Sequence, residues 1–163
     1  MRSKRPAGSV RSRQIRYVTR ERLHVDRIAT AWAIRRFVDP EASFIFVART
    51  KDVRGMAELP FDVPGAALSH RGPRCTFEVL LETRDLTDPV LTRMGLIIRG
   101  ADLPHDDAVR PESAGVRAVF DALRDGDLSD VERLRVGGLF CDALYAYCKG
   151  QGASTGIVLR ALG

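Results

Sequence analysis

Three segments of the sequence place histidine, cysteine, carboxylate and arginine side chains close together. The first contains His24, Asp26 and Arg27, at the start of a predicted amphipathic helix. An acidic residue in the first helical turn is favoured by the helix dipole alone, so Asp26 is either a capping or salt-bridge residue or a carboxylate that faces a pocket. In the second interpretation Asp26 and Arg27 are the candidate catalytic residues, with Asp26 reaching a bound water.

The second segment is SHRGPRCTFE, in which a turn rich in Gly and Pro leads into a helix. If the turn folds His70 back over the first helical turn, His70 and Glu78 converge as nitrogen and oxygen ligands for zinc, manganese or iron. The alternative is a turn histidine with ordinary hydrogen-bond partners. Cys75 beside Arg74 is either a reactive thiol with a lowered pKa or a small buried hydrophobe.

The third segment is ADLPHDD, followed by RPE. Asp102 ends an apolar helix and is expected to point inward, whereas Asp106 and Asp107 are expected to be solvated. With His70 and Glu78, Asp102 gives one histidine and two carboxylates, a set suited to iron or manganese with open coordination positions. Glu112 or Asp26 would be a fourth ligand or a group that supports the ligands.

Hydrophobic periodicity predicts an α+β fold in which helices dominate. A small sheet is expected from residues near 15–19, 43–48 and 66–69, covered by about five or six helices. One of these is a short helix near 52–58, and the last is a long, largely buried helix that begins at the Ser129-x-x-Glu132 capping box. An all-α bundle is the alternative if the short apolar runs are irregular.

The length of 163 residues and a hydrophobic content of 45% suit one domain with its own core. We predict a disordered basic arm over 1–14, a single domain over 15–150, and a flexible tail or docked short segment over 151–163. The net charge of +5 comes from the amino-terminal end of the chain, because residues 1–22 carry +7 and the rest of the chain −2. Such an arm would bind nucleic-acid phosphates only weakly, in a salt-dependent way.

The sequence shows neither a membrane-spanning segment nor a cysteine motif typical of disulfide-rich or zinc-binding proteins. No apolar run reaches the roughly 18 residues of a membrane-spanning helix, so no membrane association and a cytoplasmic location are expected. The three cysteines, Cys75, Cys141 and Cys148, have no CxxC spacing, which fits a reducing compartment. Cys141 and Cys148 are predicted to be packing residues, and Asp142 is predicted to pair with an arginine. The oligomeric state is not readable from the sequence.

Several strings resemble one known family: VDRIA with W-IRRF-DPEA, SH-G-CTFE, ADL with RPESAG, and LFCDALYAYC. Together, from about Tyr17 to Lys149, they resemble the carboxy-terminal domain family of ChrB-type chromate-resistance proteins. The resemblance implies a role in chromate resistance, in proteins described as regulators or sensors of chromate. Longer members carry an additional amino-terminal region, for which this sequence has only the basic arm, so the transcriptional role does not carry over directly.

The motif positions that carry over coincide with the candidates above: Asp26, Arg27, His70, Cys75, Glu78, Asp102 and Glu112. One hypothesis is a stress-response domain that binds manganese, iron or zinc and acts as a sensor or accessory enzyme; whether it turns over a substrate stays open. The second is a metal-free module that binds chromate or another oxyanion through Arg27, Arg71, Arg74 and Arg99. The third is a DNA-binding regulator of a chromate-resistance operon that uses residues 1–14.

Overall fold

The computed structural model describes residues 14–103 and 110–150, which form three strands, five α-helices and one π-helical turn. In chain order they are β1 (Arg16–Arg20), α1 (Val25–Ala33), the π-helical turn (Ile34–Val38), β2 (Ser43–Val47), β3 (Leu59–Pro60), α2 (Thr76–Thr83), α3 (Pro89–Asp102), α4 (Pro111–Asp125) and α5 (Asp130–Gly150). The predicted helix-dominated α+β class is confirmed, and the all-α alternative is excluded. The predicted arm, apart from Gln14, and the predicted tail lie outside the described residues, as do Asp106 and Asp107.

The sheet has the strand order β2-β1-β3, and both neighbours run parallel to β1. Parallel strands need a crossover connection, which α1 and the π-helical turn provide between β1 and β2. The predicted strands near 15–19 and 43–48 are confirmed. The predicted third strand at 66–69 is wrong, because the free edge of β1 pairs with Leu59–Pro60, and Leu68 makes only an isolated bridge to Phe61.

Successive residues of β1 point to opposite faces of the sheet. Tyr17 faces the main core, where α1, α2, α3 and α5 supply most of the buried side chains. Val18 faces a smaller cluster with Val53 and Val63. The segment 52–58 covers this second face with turns, not with the predicted short helix, because Gly55 adopts a φ of +76° that a right-handed helix does not contain.

The prediction that α5 is largely buried is wrong. The buried residues of α5 are Arg133, Leu134, Gly137, Cys141 and Cys148, whereas Val131 is 69% exposed and Phe140 is 44% exposed. The helix lies at the edge of the domain, where its remaining apolar side chains are only partly covered: Leu144 packs against the main core, and the ring of Phe140 contacts that of Phe120, with the ring centroids 6.2 Å apart.

Two smaller predictions about α5 are confirmed. Cys141 and Cys148 are buried packing residues. Asp142 pairs with Arg36, whose Nη1 lies 2.9 Å from Oδ1 of Asp142.

No helix among residues 14–103 and 110–150 has both the length and the apolar character needed to span a membrane.

The packing of α1 against α5 depends on a glycine. A Cβ atom at Gly137 would lie 2.7 Å from Cγ2 of Ile28 and 3.2 Å from a ring carbon of Phe120. At the adjacent Gly138 a Cβ atom would meet only Trp32, at 4.0 Å, which is ordinary contact. Gly137 therefore sets how closely the two helices approach.

We expect Gly137→Ala to be less stable than Gly138→Ala by about 1–3 kcal/mol in the free energy of unfolding, the usual cost of overpacking a core. The gain in helix propensity, about 1 kcal/mol, applies to both variants and cancels in the difference. Urea denaturation followed by circular dichroism measures both values. Equal stability of the two variants would show that Ile28 moves aside without cost.

Candidate functional site

The candidate site lies beyond the carboxyl ends of two adjacent parallel strands. After β1 the chain turns through residues 21–24 into α1, and after β3 it continues directly into Phe61 and Asp62. The strand order reverses between β1 and β3. In open parallel sheets such a point is where ligands bind.

The loop after β1 is held by the start of α5. The two carboxylate oxygens of Asp130 accept hydrogen bonds from the backbone N–H groups of Arg22 and Leu23, each at 2.9 Å. Arg22 has a φ of +58°, so the loop needs such an anchor to keep its shape. The anchor fixes the following residue, His24, at the amino terminus of α1.

Asp26 is a cap, but for a different helix from the one that contains it. Its Oδ2 accepts from the backbone N–H of Thr76 and its Oδ1 from that of Phe77, both at 2.8 Å. These groups form the positive amino-terminal end of α2. Asp26 is 1% exposed, and this burial raises the pKa of its carboxyl group, against the lowering effect of His70 and the Phe77 N–H.

His70 brings three carboxylates together. Its Nε2 lies 3.0 Å from Oδ2 of Asp26, 3.3 Å from Oδ1 of Asp62 and 3.4 Å from Oδ2 of Asp102. One ring nitrogen carries at most one proton, so it cannot donate to all three. Hydrogen bonds to Asp26 and Asp62 raise the pKa of His70 to about 10, and without another cation the ring is an imidazolium.

Asp62 is the site residue that the sequence prediction missed. Thr76 donates its hydroxyl to Oδ1 at 2.8 Å, and Nε of Arg27 lies 2.8 Å from Oδ2. Burial acts to raise the pKa of Asp62, but His70, Arg27 and Thr76 outweigh it and hold the pKa below its usual value. Asp62 has a φ of +48°, which an aspartate tolerates better than most residues. The sequence signal for Asp62 is that it is the one acid in LPFDVPG, a segment whose prolines and glycine favour turns.

The structure brings the predicted metal ligand Asp102 to His70, but gives Glu78 and Glu112 other partners. Glu78 closes the first turn of α2: one carboxylate oxygen accepts from the Cys75 N–H at 3.1 Å, and the other lies 3.3 Å from Arg99. Glu112 accepts from the Tyr147 hydroxyl at 2.8 Å. Among the residues that the structure describes, Asp26, Asp62 and His70 form a group of possible metal ligands, because their ligand atoms all lie within 4.8 Å of one another.

Cys75 and Arg74 are the predicted redox or oxyanion residues, and the contacts of both indicate a structural role. Cys75 is fully buried, and burial raises the pKa of its thiol. This is the opposite direction from the one that a reactive thiolate requires, and it agrees with the alternative of a small buried hydrophobe. Arg74 lies on the surface and pairs with Glu82.

Each arginine of the predicted oxyanion pocket lies against a carboxylate. Arg27 pairs with Asp62, Arg71 and Arg74 pair with Glu82, and Arg99 pairs with Glu78. Most of the positive charge that an oxyanion would need is therefore offset by acids of the domain itself, although Arg71 and Arg74 share one carboxylate. The basic arm of the DNA-binding hypothesis, except Gln14, lies outside the described residues.

The fold and the site together define an α+β domain with a histidine–carboxylate cluster at the carboxyl ends of a small parallel sheet. The family model described as ChrB, C-terminal domain, matches residues 17–148, and the chain belongs to this family. It is 38% identical over 134 residues to Protein ChrB of Cupriavidus metallidurans. The match covers 80% of this chain but 40% of that relative, so the chain spans well under half of the relative's length. No solved structure matches the chain.

The raised pKa of His70 predicts how the stability of the metal-free protein depends on pH. Since the pKa is about 10 in the folded state and ordinarily 6.5, the contribution of His70 is fully present below about pH 6.5 and is lost as the pH rises toward 10. The stability difference between the wild type and His70→Gln should therefore shrink from pH 6 to pH 10. Urea denaturation at several pH values in a chelating buffer measures this difference, and a constant difference would contradict the assignment.

Proposed function

We propose that this chain is a metal-binding domain of a chromate-resistance protein and that Asp26, Asp62 and His70 hold a divalent transition-metal ion, with Asp102 beside them. Membership of the ChrB family supports the association with chromate resistance. The arrangement around His70 supports the metal. The association comes from the family, and the site comes from this chain's own residues.

The observation that carries the proposal is the convergence of three carboxylate oxygens on Nε2 of His70. Two ligands bonded to one ion at about 2.1 Å lie about 3.0 Å apart at a right angle and about 3.4 Å apart at a tetrahedral angle. The three distances from Nε2 are 3.0, 3.3 and 3.4 Å. The ligand atoms of Asp26, Asp62 and His70 lie within 4.8 Å of one another, so one ion could bind all three residues, whereas the single proton of the ring cannot be shared by the carboxylates around it.

The ligand types favour a metal that accepts both imidazole and carboxylate. One nitrogen and several oxygens suit Mn²⁺ or Fe²⁺ better than metals that prefer thiolates, and Zn²⁺ is the third candidate. The His70 side chain is 35% exposed, so an ion bound there would keep positions open for water or an oxyanion. Binding of chromate at such a position would link the site to the role of the family, either as a sensor or as an accessory enzyme.

Metal content is the direct test. Purified protein offered Mn²⁺, Fe²⁺ or Zn²⁺ should retain at least one equivalent after desalting, and His70→Ala and Asp62→Asn should reduce it to less than a tenth because each removes a ligand. Asp52→Asn is the matched control, since Asp52 is an exposed acid that pairs with Arg54 and should leave the metal content unchanged. Elemental analysis measures the metal, and circular dichroism checks folding. Wild type without metal, or folded variants with full content, would contradict the proposal.

The affinity should also depend on pH. The metal must displace the proton that the carboxylates hold on His70, whose pKa is raised to about 10. Below that pH we expect the affinity for Mn²⁺ to rise about tenfold per pH unit, as for the loss of one proton. Isothermal titration calorimetry between pH 6 and pH 8 measures the slope, and buffers of different ionisation enthalpy count the proton released. Affinity that is independent of pH would rule out His70 as a ligand.

A further inference from the structure

The carboxylate of Asp102 faces a histidine with each of its oxygens. Its Oδ2 lies 3.4 Å from Nε2 of His70, and its Oδ1 lies 3.7 Å from Nδ1 of His24. The second distance is longer than a hydrogen bond. It is close to the roughly 3.6 Å expected for two ligands bonded at about 2.1 Å to one ion with an angle near 120°.

The other nitrogen of His24 is fixed. Its Nε2 lies 3.0 Å from Oδ1 of Asp121, and Asp121 is itself held by Arg124 at 3.0 Å. When Nε2 donates its proton to Asp121, Nδ1 presents a lone pair toward the oxygen of Asp102. A histidine that gives one N–H to a carboxylate and turns its other nitrogen to a metal is a common arrangement in metalloproteins.

We infer that His24 Nδ1 and Asp102 Oδ1 bind a second divalent cation beside the first, so that the Asp102 carboxylate bridges two ions. This inference rests on the proposed function, because the first ion occupies the site of Asp26, Asp62 and His70. With the ring proton of His24 on Nε2, the Nδ1 lone pair and the Asp102 oxygen face each other, and the second ion would supply the positive charge between them. The His24 and Asp102 side chains are each 17% exposed, so solvent can complete the coordination of this ion.

A paired site suits an oxyanion ligand. Ions held about 3.5–4 Å apart can each take one oxygen of the same tetrahedral anion. Chromate has that shape and charge, so the pair would bind it without arginines of its own. This matters because each of the four arginines considered from the sequence already lies against a carboxylate.

Titration with Mn²⁺ alone, followed by calorimetry and electron paramagnetic resonance, tests the inference on the whole chain. The wild type should bind two equivalents and give the broadened spectrum of two coupled Mn²⁺ ions. His24→Asn should bind one equivalent with the six-line spectrum of an isolated ion, because Asn can still occupy the amino-terminal position of α1 but does not replace the imidazole. The retained ion would show that the variant is folded.

Two further variants separate the possible outcomes. Asp121→Asn should keep two equivalents and weaken only the second by about 10–100-fold, as loss of a group that orients a ligand does. Asp52→Asn should behave as the wild type. One uncoupled equivalent in the wild type, or two coupled equivalents in His24→Asn, would overturn this inference and leave the proposed function standing. No bound Mn²⁺, Fe²⁺ or Zn²⁺ in the wild type would overturn the proposed function itself.

Discussion

The buried carboxylate of Asp26 is the constraint on which the arrangement of the site depends. A charge this far from water is costly unless it is paired and hydrogen-bonded, and the domain meets the requirement with two backbone N–H groups of α2 and the ring of His70. These partners come from residues about 50 positions further along the chain. Packing of α2 against α1 and assembly of the cluster therefore occur together, because the carboxylate of Asp26 binds both the amino terminus of α2 and the ring of His70.

The negative charge of the cluster can be offset in two ways, by a proton on His70 or by a metal ion. Asp26, Asp62 and Asp102 lie around a single ring nitrogen, while Arg27 offsets part of their charge from the side of Asp62. In the metal-free domain a proton on His70 supplies the missing positive charge, and in our proposal a divalent ion replaces that proton. Because the ion and the proton compete for the same ring nitrogen of His70, occupancy of the site is coupled to pH and to the stability of the fold.

Segments far apart in the sequence build the surroundings of the site. Asp26 and Asp62 follow two parallel strands and therefore lie at the same end of the sheet. Asp130 of α5 accepts hydrogen bonds from the loop before α1, and Asp121 of α4 pairs with His24. Helices α4 and α5 therefore support the site, although no described residue of either helix contacts His70. This agrees with a family match that extends from β1 almost to the end of α5.

The sequence by itself determined the class of fold, the first two strands, the start of α5, and the candidacy of Asp26, His70 and Asp102, because capping patterns and hydrophobic periodicity report structure within a turn or two of the chain. Glu132 does close the capping box of α5, since its carboxylate accepts from the Ser129 N–H. Only the tertiary structure decided that Asp26 caps α2, that Asp62 joins His70, and that Glu78 and Glu112 have other partners. The hydrogen bond from the Cys75 N–H to Glu78 is local, but local spacing cannot assign the contacts of Asp26, which depend on how elements about 50 residues apart pack together around one buried charge.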